Sequence, residues 1–598
     1  MYSRIKCLYK LLSREQRRRL LSLQILIIAM AFSELAGVAA IGPFMAVVGD
    51  VSRLQGEGVL GQLYQASGLQ TPWEFLFWLG IGVLIALTAA ASVSIYATWR
   101  LAVYAQQIGA DLSTRLYKHY MKQPWLFHAG GSSSQLTNKI SQEASRVTNQ
   151  VIQPLIQMNA KAVLGLVMST AIFIYNPVVA LTGLLIFGLA YFILYRTVRQ
   201  NLARNGKVVS STNQLRFKLM SEGFGGIKDT LLLGRQTDFN RRFAMASRES
   251  GYAKGVTQGL SQVPRYAMEL IAFGAVIFLV LYLLAAYDGN LGDILPVLSI
   301  YALAGFKLLP AFQQIYSGLA QVKGNISAFD NLKEDLVASQ DLGVDEQASN
   351  AGKLSPQHSI VLENIHLRFP GKEEKALDGL TIEIPVNHVI GLVGASGSGK
   401  STAIDILLGL IEPQTGCLKI DGEELDKDSL RAWQNNVGFV PQSIFLADAS
   451  ICENIAFGLP PEEIDNARVE RAAKMAHLDE LLSTLKNGLQ TTVGERGIQL
   501  SGGQRQRIGI ARALYDDAEV LVLDEATSAL DGITEKLVMD AIHDFAGKKT
   551  VIMIAHRLAT VKQCDTIFLM TEGKIEDSGS YEELARRSSI FKEMTKHA

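Results

Sequence analysis

Apolar residues are concentrated in the first half of the chain, and they occur there in long uninterrupted runs. A helix needs about 20 mostly apolar residues to cross a bilayer core about 30 Å thick. Six segments meet this requirement, at 20–48, 73–102, 151–175, 177–194, 263–287 and 291–319. The pattern therefore predicts six transmembrane helices before residue 321.

In the second half of the chain, apolar and polar residues follow a different pattern. Short β-branched runs alternate with amphipathic stretches, and the runs lie at 359–362, 376–384, 388–393, 437–440, 520–523, 550–554 and 566–570. Strands that alternate with helices favour an α/β domain with a largely parallel sheet. We predict a multi-domain chain with an all-α six-helix transmembrane domain at 1–331, a polar linker at 332–358 and an α/β domain at 359–598.

The distribution of charge predicts how the helices are oriented in the membrane. Basic residues precede the first helix and are frequent in the two long polar connections, whereas the connection at 49–72 contains only Arg53. Both termini and the long connections are therefore expected in the cytoplasm. Lys and Arg together number 57, as do Asp and Glu, so no basic excess indicates a nucleic-acid partner.

Three polar segments of the first half have predicted structures of their own. The helical patterns continue over 99–123 and 195–217, which predicts long cytoplasmic helix extensions that end in bends near 124–134 and 223–235. Separate amphipathic helices in loops are the alternative. The external segment 49–72 favours a short amphipathic helix at the membrane surface, with a glycine-weakened loop as its alternative.

A glycine-rich loop follows the apolar run at 389–393. Its spacing, Gly-x-x-x-x-Gly-Lys-Ser between a strand and a helix, is typical of a loop whose backbone N–H groups surround phosphates. The Lys400 ammonium would neutralise phosphate charge, and the Ser401 hydroxyl would bind Mg²⁺. The predicted nucleotide-binding residues are Gly394, Ala395, Ser396, Gly397, Ser398, Gly399, Lys400, Ser401 and Thr402.

Two adjacent carboxylates, Asp524 and Glu525, end the apolar run that starts at Val520. At the end of a buried strand they suit a site beyond the edge of a parallel sheet. With the phosphate loop upstream, we expect Asp524 to hold Mg²⁺ and Glu525 to polarise the attacking water. The structural alternative is that these two acids only place negative charge at the N-terminus of the following helix.

The run Ser501-Gly502-Gly503-Gln504, together with these two motifs, resembles the signature of ATP-binding-cassette (ABC) proteins of the exporter type. The resemblance implies an ATPase that uses ATP and Mg²⁺, with Gln442 at the magnesium ion and His556 at the γ-phosphate. It also places Asp531 in the loop between two cassettes. Phe369 stands where the family usually has a tyrosine stacked on adenine, and it keeps the aromatic face.

In such proteins the signature of one cassette completes the ATP site of another. One chain with a single cassette and six membrane helices is half of the usual exporter, so the resemblance implies a homodimer. It also implies coupling helices near 124–134 and 223–235. The catalytic residues implied are Lys400, Gln442, Glu525 and His556.

The membrane half resembles the flippases of lipid-linked oligosaccharides in bacterial protein N-glycosylation, through Ser33-Glu34, the segment after Val48 and the stretches at 263–266 and 306–310. This implies ATP-driven movement of a lipid-linked oligosaccharide or another amphipathic lipid outward across the bacterial inner membrane. A peptide, drug or glucan exporter of the same architecture is the alternative. A non-transporting ATPase does not account for the six apolar segments.

Three ionisable residues in the membrane segments are candidates for substrate contact, because charges in a membrane are costly. Arg265 and Lys307 would attract a pyrophosphate headgroup, and Glu34 lies in the first helix. The structural alternatives are an Arg265–Glu269 pair one helical turn apart, a snorkelling Lys307 and a polar interhelical contact of Glu34.

Overall fold

The chain forms two compact units in a computed structural model. One unit contains Met1–Gln123 and Phe127–Gly343, and the other contains Pro124–Leu126 and Val344–Ala598. The structure describes residues 2–55, 58–175, 177–286, 291–340, 352–494, 497, 500–525, 539, 545–555 and 558–596.

Twelve described helices precede residue 341, and all belong to the first unit except the first two residues of Trp125–Gly130, which belong to the second. They are α1 (Tyr2–Leu11), α2 (Arg14–Gly49), α3 (Val59–Ser67), α4 (Pro72–Met121), α5 (Trp125–Gly130), α6 (Ser133–Asn138), α7 (Ala144–Val147), α8 (Gln153–Tyr175), α9 (Pro177–Gly225), α10 (Ile227–Leu232), α11 (Gln236–Ala286) and α12 (Leu291–Ala338). Ser13 starts α2 with a reciprocal capping box to Gln16, and Pro72 is the first residue of α4 behind the cap Thr71.

The six predicted membrane segments lie in α2, α4, α8, α9, α11 and α12. Of the residues that the structure describes, three helical stretches are long and apolar enough to cross a membrane: Arg14–Gly49, Pro72–Met121 and Ser133–Tyr175. The last is continuous because π-helical turns at Lys139–Glu143 and Thr148–Ile152 join α6, α7 and α8. The amphipathic helix α1 was not predicted, and it packs Leu8 and Leu11 into the same core as α4.

The predicted extensions are parts of single helices. At a rise of 1.5 Å per residue, the 50 residues of α4 and the 49 residues of α9 make helices about 75 Å long. Each has proline only at its first position, whereas α2 contains Pro43 and α12 contains Pro310 in its interior. Separate amphipathic helices in loops are therefore not what these sequences form.

A buried polar network joins three helices along the extension of α9. The Arg146 guanidinium donates to Ser210 Oγ at 2.7 Å, to the Gly206 carbonyl at 3.0 Å and to Asn325 Oδ1 at 2.8 Å. Glu143 is 1% exposed, lies 3.7 Å from Arg146 and accepts from Ser210 Oγ at 3.1 Å. The guanidinium thus binds α7 to α9 and α12.

The external segment is helical rather than a glycine-weakened loop. A 3₁₀ turn at Val51–Leu54 precedes α3, which ends where Gly68 adopts φ +67°. Leu54 is buried, and the Tyr64 ring packs edge-on against Phe75 with centroids 5.3 Å apart. These contacts hold α3 against the start of α4.

The predicted linker differs from the structure at its start. Helix α12 continues to Ala338 because Leu332 and Leu336 are fully buried, so the first residues of 332–358 belong to the helical unit. Residues 341–351 lie outside the described part of the chain.

The second unit contains two sheets. Its strands are β1 (Ser359–Leu367), β2 (Leu377–Pro385), β3 (Val389–Val393), β4 (Thr415–Ile420), β5 (Glu423–Glu424), β6 (Val437–Val440), β7 (Val520–Asp524), β8 (Thr550–Ile554), β9 (Thr566–Thr571) and β10 (Lys574–Gly579). The six-stranded sheet has the order β10-β9-β3-β8-β7-β6 and is parallel except at β10. The four-stranded sheet, β2-β1-β4-β5, is antiparallel.

Helices surround the parallel sheet. The described helices of this unit are α13 (Lys400–Leu407), α14 (Leu430–Gln434), α15 (Ile451–Ile455), α16 (Asn466–Met475), α17 (Asp479–Thr484), α18 (Gly502–Leu514), α19 (Leu558–Val561), α20 (Tyr581–Arg587) and α21 (Ser589–Lys596), with 3₁₀ turns at Pro461–Glu463 and Gly488–Gln490. Trp433 is fully buried between the sheets, and its indole N–H donates to the Leu407 carbonyl at 2.8 Å. All residues of β3 and β8 are buried, so the carboxyl ends of these strands face a common edge.

Candidate ATP site

The phosphate loop connects β3 to α13 and requires glycine at defined positions. Gly394 has φ +153° and Gly399 has φ +99°. A Cβ atom would lie 2.2 Å from the Met570 carbonyl at Gly394 and 2.7 Å from the Ala376 carbonyl at Gly399. Glycine is therefore required where the loop packs against these carbonyls, while residues 395–397 between the two glycines are exposed, which suits close approach of phosphate oxygens.

Lys400 lies at the centre of this loop. Its ammonium donates to the Gly394 and Ala395 carbonyls, both at 2.8 Å, and the side chain is 5% exposed. Burial lowers the pKa of Lys400, and the carboxylates of Glu525 and Asp524 oppose that shift. The positive charge of Lys400 is thus held beside two acids rather than in solvent. The next residue, Ser401, is exposed at the start of α13.

Parallel pairing brings the predicted acids to the loop. Strand β7 pairs with β8 on one side and with β6 on the other, and Gln442 follows β6 by two residues. The Gln442 amide donates to Glu525 Oε2 at 2.6 Å. Glu525 has φ +48°, a conformation that is costly for a residue with a Cβ and that often occurs at functional sites. The structure therefore joins two of the predicted site residues directly.

The oxygen donors around the loop fit a magnesium ion. Ser401 follows the loop, Asp524 ends β7 and Gln442 contacts Glu525, so hydroxyl, carboxylate and amide oxygens come from three adjacent elements. Mg²⁺ prefers such oxygen ligands together with phosphate. The geometry thus suits Mg²⁺ with ATP.

The signature residues form the start of α18. Ser501 caps the helix by accepting from the Gln504 backbone N–H at 3.2 Å, while Gln504 Oε1 accepts from the Ser501 N–H at 2.8 Å. Ser501 is exposed, whereas Gly503 is buried. The helix therefore presents its positive end and a hydroxyl at the surface of the unit.

Phe369 lies after β1, half-buried against the core that contains the strands of both sheets. His556 and Asp531 lie outside the described residues.

Two residues near the site were missed by sequence reasoning. Arg512 stacks 4.4 Å from the Phe457 ring centroid and donates to the Asn454 carbonyl at 2.9 Å, and burial lowers its pKa to about 10. Burial raises the pKa of Asp405 to about 6; a hydrogen bond with Trp125 opposes this shift, and the charge of Asp524 adds to it. Neither residue belongs to a motif, so the sequence contains no signal for either. Their burial and their contacts are seen only in the folded structure.

The three candidate residues for substrate contact take part in two different ion pairs. Arg265 Nε lies 2.8 Å from Glu269 Oε1, which is the structural alternative given above. Lys307 Nζ lies 2.5 Å from Glu34 Oε2, and Ser94 Oγ donates to Glu34 Oε1 at 2.7 Å. The structure thus brings Glu34 and Lys307 together and pairs Arg265 within its own helix.

Comparisons with known proteins agree with both halves of the chain. Residues 39–306 match the ABC transporter transmembrane region and residues 377–528 match the ABC transporter domain. An ATP-dependent lipid A-core flippase of Ralstonia nicotianae is 27% identical over 519 residues, covering 86% of each chain. That of Salmonella paratyphi A is 28% identical, covering 88% of this chain and 89% of the relative.

The fold is similar to that of a solved structure described as a bacterial Atm1-family ABC exporter with ATP bound. The TM-score is 0.77 at 22% sequence identity, covering 97% of this chain and 98% of the other. The fold of the whole chain, the ATP-binding domain and the transmembrane region thus agree with one another. The chain belongs to the ABC transporters, as an exporter-type half-transporter that hydrolyses ATP to drive translocation.

Proposed function

We propose that this chain moves an amphipathic, lipid-like substrate from the cytoplasmic side of the bacterial inner membrane outward. The observation that supports this most directly is the Glu34–Lys307 pair in the membrane helices, since charged side chains in membrane segments are costly and commonly serve polar parts of a substrate. Similarity over most of the length to lipid A-core flippases supports a lipid rather than a soluble compound.

The finer substrate that we propose is a lipid-linked oligosaccharide. Both this lipid and the lipid A-core named for the relatives join an apolar anchor to an anionic glycan, so the proposal shares their chemistry. A peptide, drug or glucan exporter is the competing function, and stimulation by a soluble compound alone would favour it.

The ATP site supplies the energy for this movement. In our proposal, Ser401, Gln442 and Asp524 hold Mg²⁺, which neutralises phosphate charge, and Lys400 adds a positive charge from within the loop. Glu525 accepts the proton of the attacking water, with His556 at the γ-phosphate and Phe369 against adenine. The Gln442–Glu525 hydrogen bond supports this assignment because it couples the base to the loop that follows β6.

We propose that two copies work together as a homodimer. The exposed cap Ser501, with Gly502, Gly503 and Gln504, would complete the site formed by the phosphate loop of the second copy, with Asp531 near the crossing. Helix α10 supports this, because it and the residue after it expose Ile227, Leu231, Leu232 and Leu233. Such a patch favours a protein partner.

In the same proposal both termini and the cassette lie in the cytoplasm. Closure of two cassettes on ATP draws α4 and α9 together at their cytoplasmic ends and biases the membrane cavity outward. The regions near 124–134 and 223–235, which contain α5 and α10, are the proposed coupling helices.

The test is ATP-dependent translocation by the purified full chain in proteoliposomes. A fluorescent lipid-linked oligosaccharide and a fluorescent lipid A are each supplied, with Glu525→Gln as the hydrolysis-deficient control. We expect movement of at least one lipid with wild-type chain and none with Glu525→Gln. Equal movement with both chains, or movement of neither lipid, would refute the proposed function.

A further inference from the structure

Three charged residues from three membrane helices form one cluster. It consists of Glu34 on α2, Lys161 on α8 and Lys307 on α12, and we call it the charge cluster. Lys307 Nζ contacts Glu34 Oε2 at 2.5 Å, and Lys161 lies one helical turn before Leu164, which packs with Ala31 of α2 and Ala311 of α12. Two cations and one anion thus lie on three helices that pack together, which leaves one positive charge in excess.

The three members lie at the same depth. Counted at 1.5 Å per residue to Gly49, Tyr175 and Leu291, Glu34, Lys161 and Lys307 lie about 23, 21 and 24 Å from one end of their helices. In the proposed topology these ends face outward. A bilayer core about 30 Å thick therefore contains the cluster in its cytoplasmic half, where a headgroup from the inner leaflet enters.

Apolar packing fixes the helices that provide the cluster. Ala31 and Val38 of α2, Leu164 of α8 and Ala311 of α12 are buried against one another. The Glu34 side chain is 14% exposed and the Lys307 side chain is 39% exposed. Because an ammonium facing lipid is costly, the exposed part of Lys307 is best accommodated in a polar cavity.

A polar path on the same helices leads to the cluster from the cytoplasmic side. The Asn159 amide donates to Gln24 Oε1 at 2.6 Å, and the Gln314 amide donates to Gln157 Oε1 at 3.2 Å. Gln24 precedes Glu34 by about three helical turns, and Gln314 follows Lys307 by about two. An anionic headgroup would therefore meet hydrogen-bonding side chains before it reaches the cations.

We propose that Glu34 is an internal counter-ion, which a phosphate-bearing headgroup displaces from Lys307 and Lys161 when substrate enters. The inference rests on the proposed function and adds to it Lys161 and a role for Glu34. The carboxylate offsets one of the two positive charges before substrate enters, which lowers the cost of placing two cations in the membrane. The incoming phosphate replaces it, because phosphate offers more negative charge and more acceptor oxygens to the same two cations.

If this exchange occurs, removing a cation and removing the Glu34 carboxylate should change the affinity for phosphate in opposite directions. Removing the charge of Lys161 or Lys307 weakens attraction for phosphate, whereas removing the charge of Glu34 removes the competitor and strengthens it. If the pair only stabilised the fold, Glu34→Gln and Lys307→Gln would both be harmful. Arg241 provides a comparison, because it is exposed, lies outside the predicted membrane segments and pairs with Asp238 on its own helix.

The experiment measures ATPase stimulation of the full chain in lipid nanodiscs. The probes are undecaprenyl pyrophosphate and lipid A, with the uncharged undecaprenol as comparator. We expect Lys161→Gln and Lys307→Gln each to raise the half-maximal concentration of a phosphate-bearing probe about tenfold, and Glu34→Gln to lower it about tenfold. Lys307→Arg should restore the wild-type value, and Arg241→Gln should leave the value close to wild type.

The outcomes separate this inference from the proposed function. If the half-maximal concentration of the phosphate-bearing probe for Glu34→Gln equals or exceeds that of the wild-type chain, the counter-ion role of Glu34 is refuted. Equal stimulation by undecaprenol and by the phosphate-bearing probes would overturn it as well, while leaving a lipid transporter. Absence of stimulation by any lipid would overturn the proposed function and this inference together.

Discussion

Replacing Arg146 by Leu should destabilise the membrane unit strongly. The guanidinium is buried, donates to Ser210, Gly206 and Asn325, and lies beside Glu143, which is 1% exposed. Arg146→Leu leaves that carboxylate buried without its cation. Breaking a buried charge pair from one side costs about 3–5 kcal/mol.

The size of the effect depends on Glu143, and a double variant tests this. In Arg146→Leu/Glu143→Leu both charges are absent, and replacement of a whole buried pair by apolar residues is often nearly neutral. We therefore expect the double variant to recover at least half of the lost stability. Asn325 loses its guanidinium donor in both variants, and the double variant also removes the carboxylate to which Ser210 and Asn331 donate, so these partners limit the recovery.

The assay is the apparent thermal unfolding midpoint of the detergent-purified full chain at a fixed scan rate. A loss of about 3–5 kcal/mol corresponds to a decrease of about 6–10 °C at about 2 °C per kcal/mol for a large unit. Arg241→Leu is the matched control, because Arg241 is exposed and pairs only with Asp238 at 2.8 Å on the surface. A decrease in Arg146→Leu no larger than that in Arg241→Leu would refute the reasoning, as would a double variant less stable than the single one.

Three further changes test the cassette. Lys400→Ala should abolish ATP hydrolysis and transport while the chain still fractionates with membranes; retained transport would contradict the site. Gly399→Ala should lose ATP binding in a fluorescent-nucleotide titration, because its Cβ would lie 2.7 Å from a carbonyl at φ +99°, and normal binding would contradict the loop geometry. The pKa of Asp405 is raised from 3.8 to about 6, so its contribution to stability is present below about pH 4 and is lost as the pH rises through about 6. Asp405→Asn should flatten this loss in thermal unfolding midpoints measured from pH 4 to 7, and an unchanged profile would exclude Asp405 as its source.

Sequence patterns predicted the elements of the cassette site because strand ends and glycine spacing are local properties. All seven predicted strands are strands in the structure. The strands β4, β5 and β10 were missed, since Thr415–Ile420 is polar at its start, β5 has two residues and Lys574–Gly579 has only half-buried or exposed residues. Their pairing in a sheet, rather than their composition, makes them strands.

Side-chain pairing could be predicted only within a helix. Arg265 and Glu269 are four residues apart, so the sequence indicated their ion pair, and the structure has it. Glu34 and Lys307 belong to helices far apart in the chain, and no spacing rule connects them. Lys161 was not considered for the same reason, because its relation to Glu34 depends on how α2 and α8 pack.

The positions of proline determine where the long helices can bend. Helices α4 and α9 have proline only at their first residue, so their backbone hydrogen bonds continue without a missing donor over about 75 Å. Prolines inside α2, α11 and α12 each remove one such bond, at Pro43, Pro264, Pro296 and Pro310. A tilt of 5° in a stiff rod 75 Å long displaces its far end by about 7 Å. We therefore expect α4 and α9 to rotate as rigid rods, while bending occurs in α2, α11 and α12.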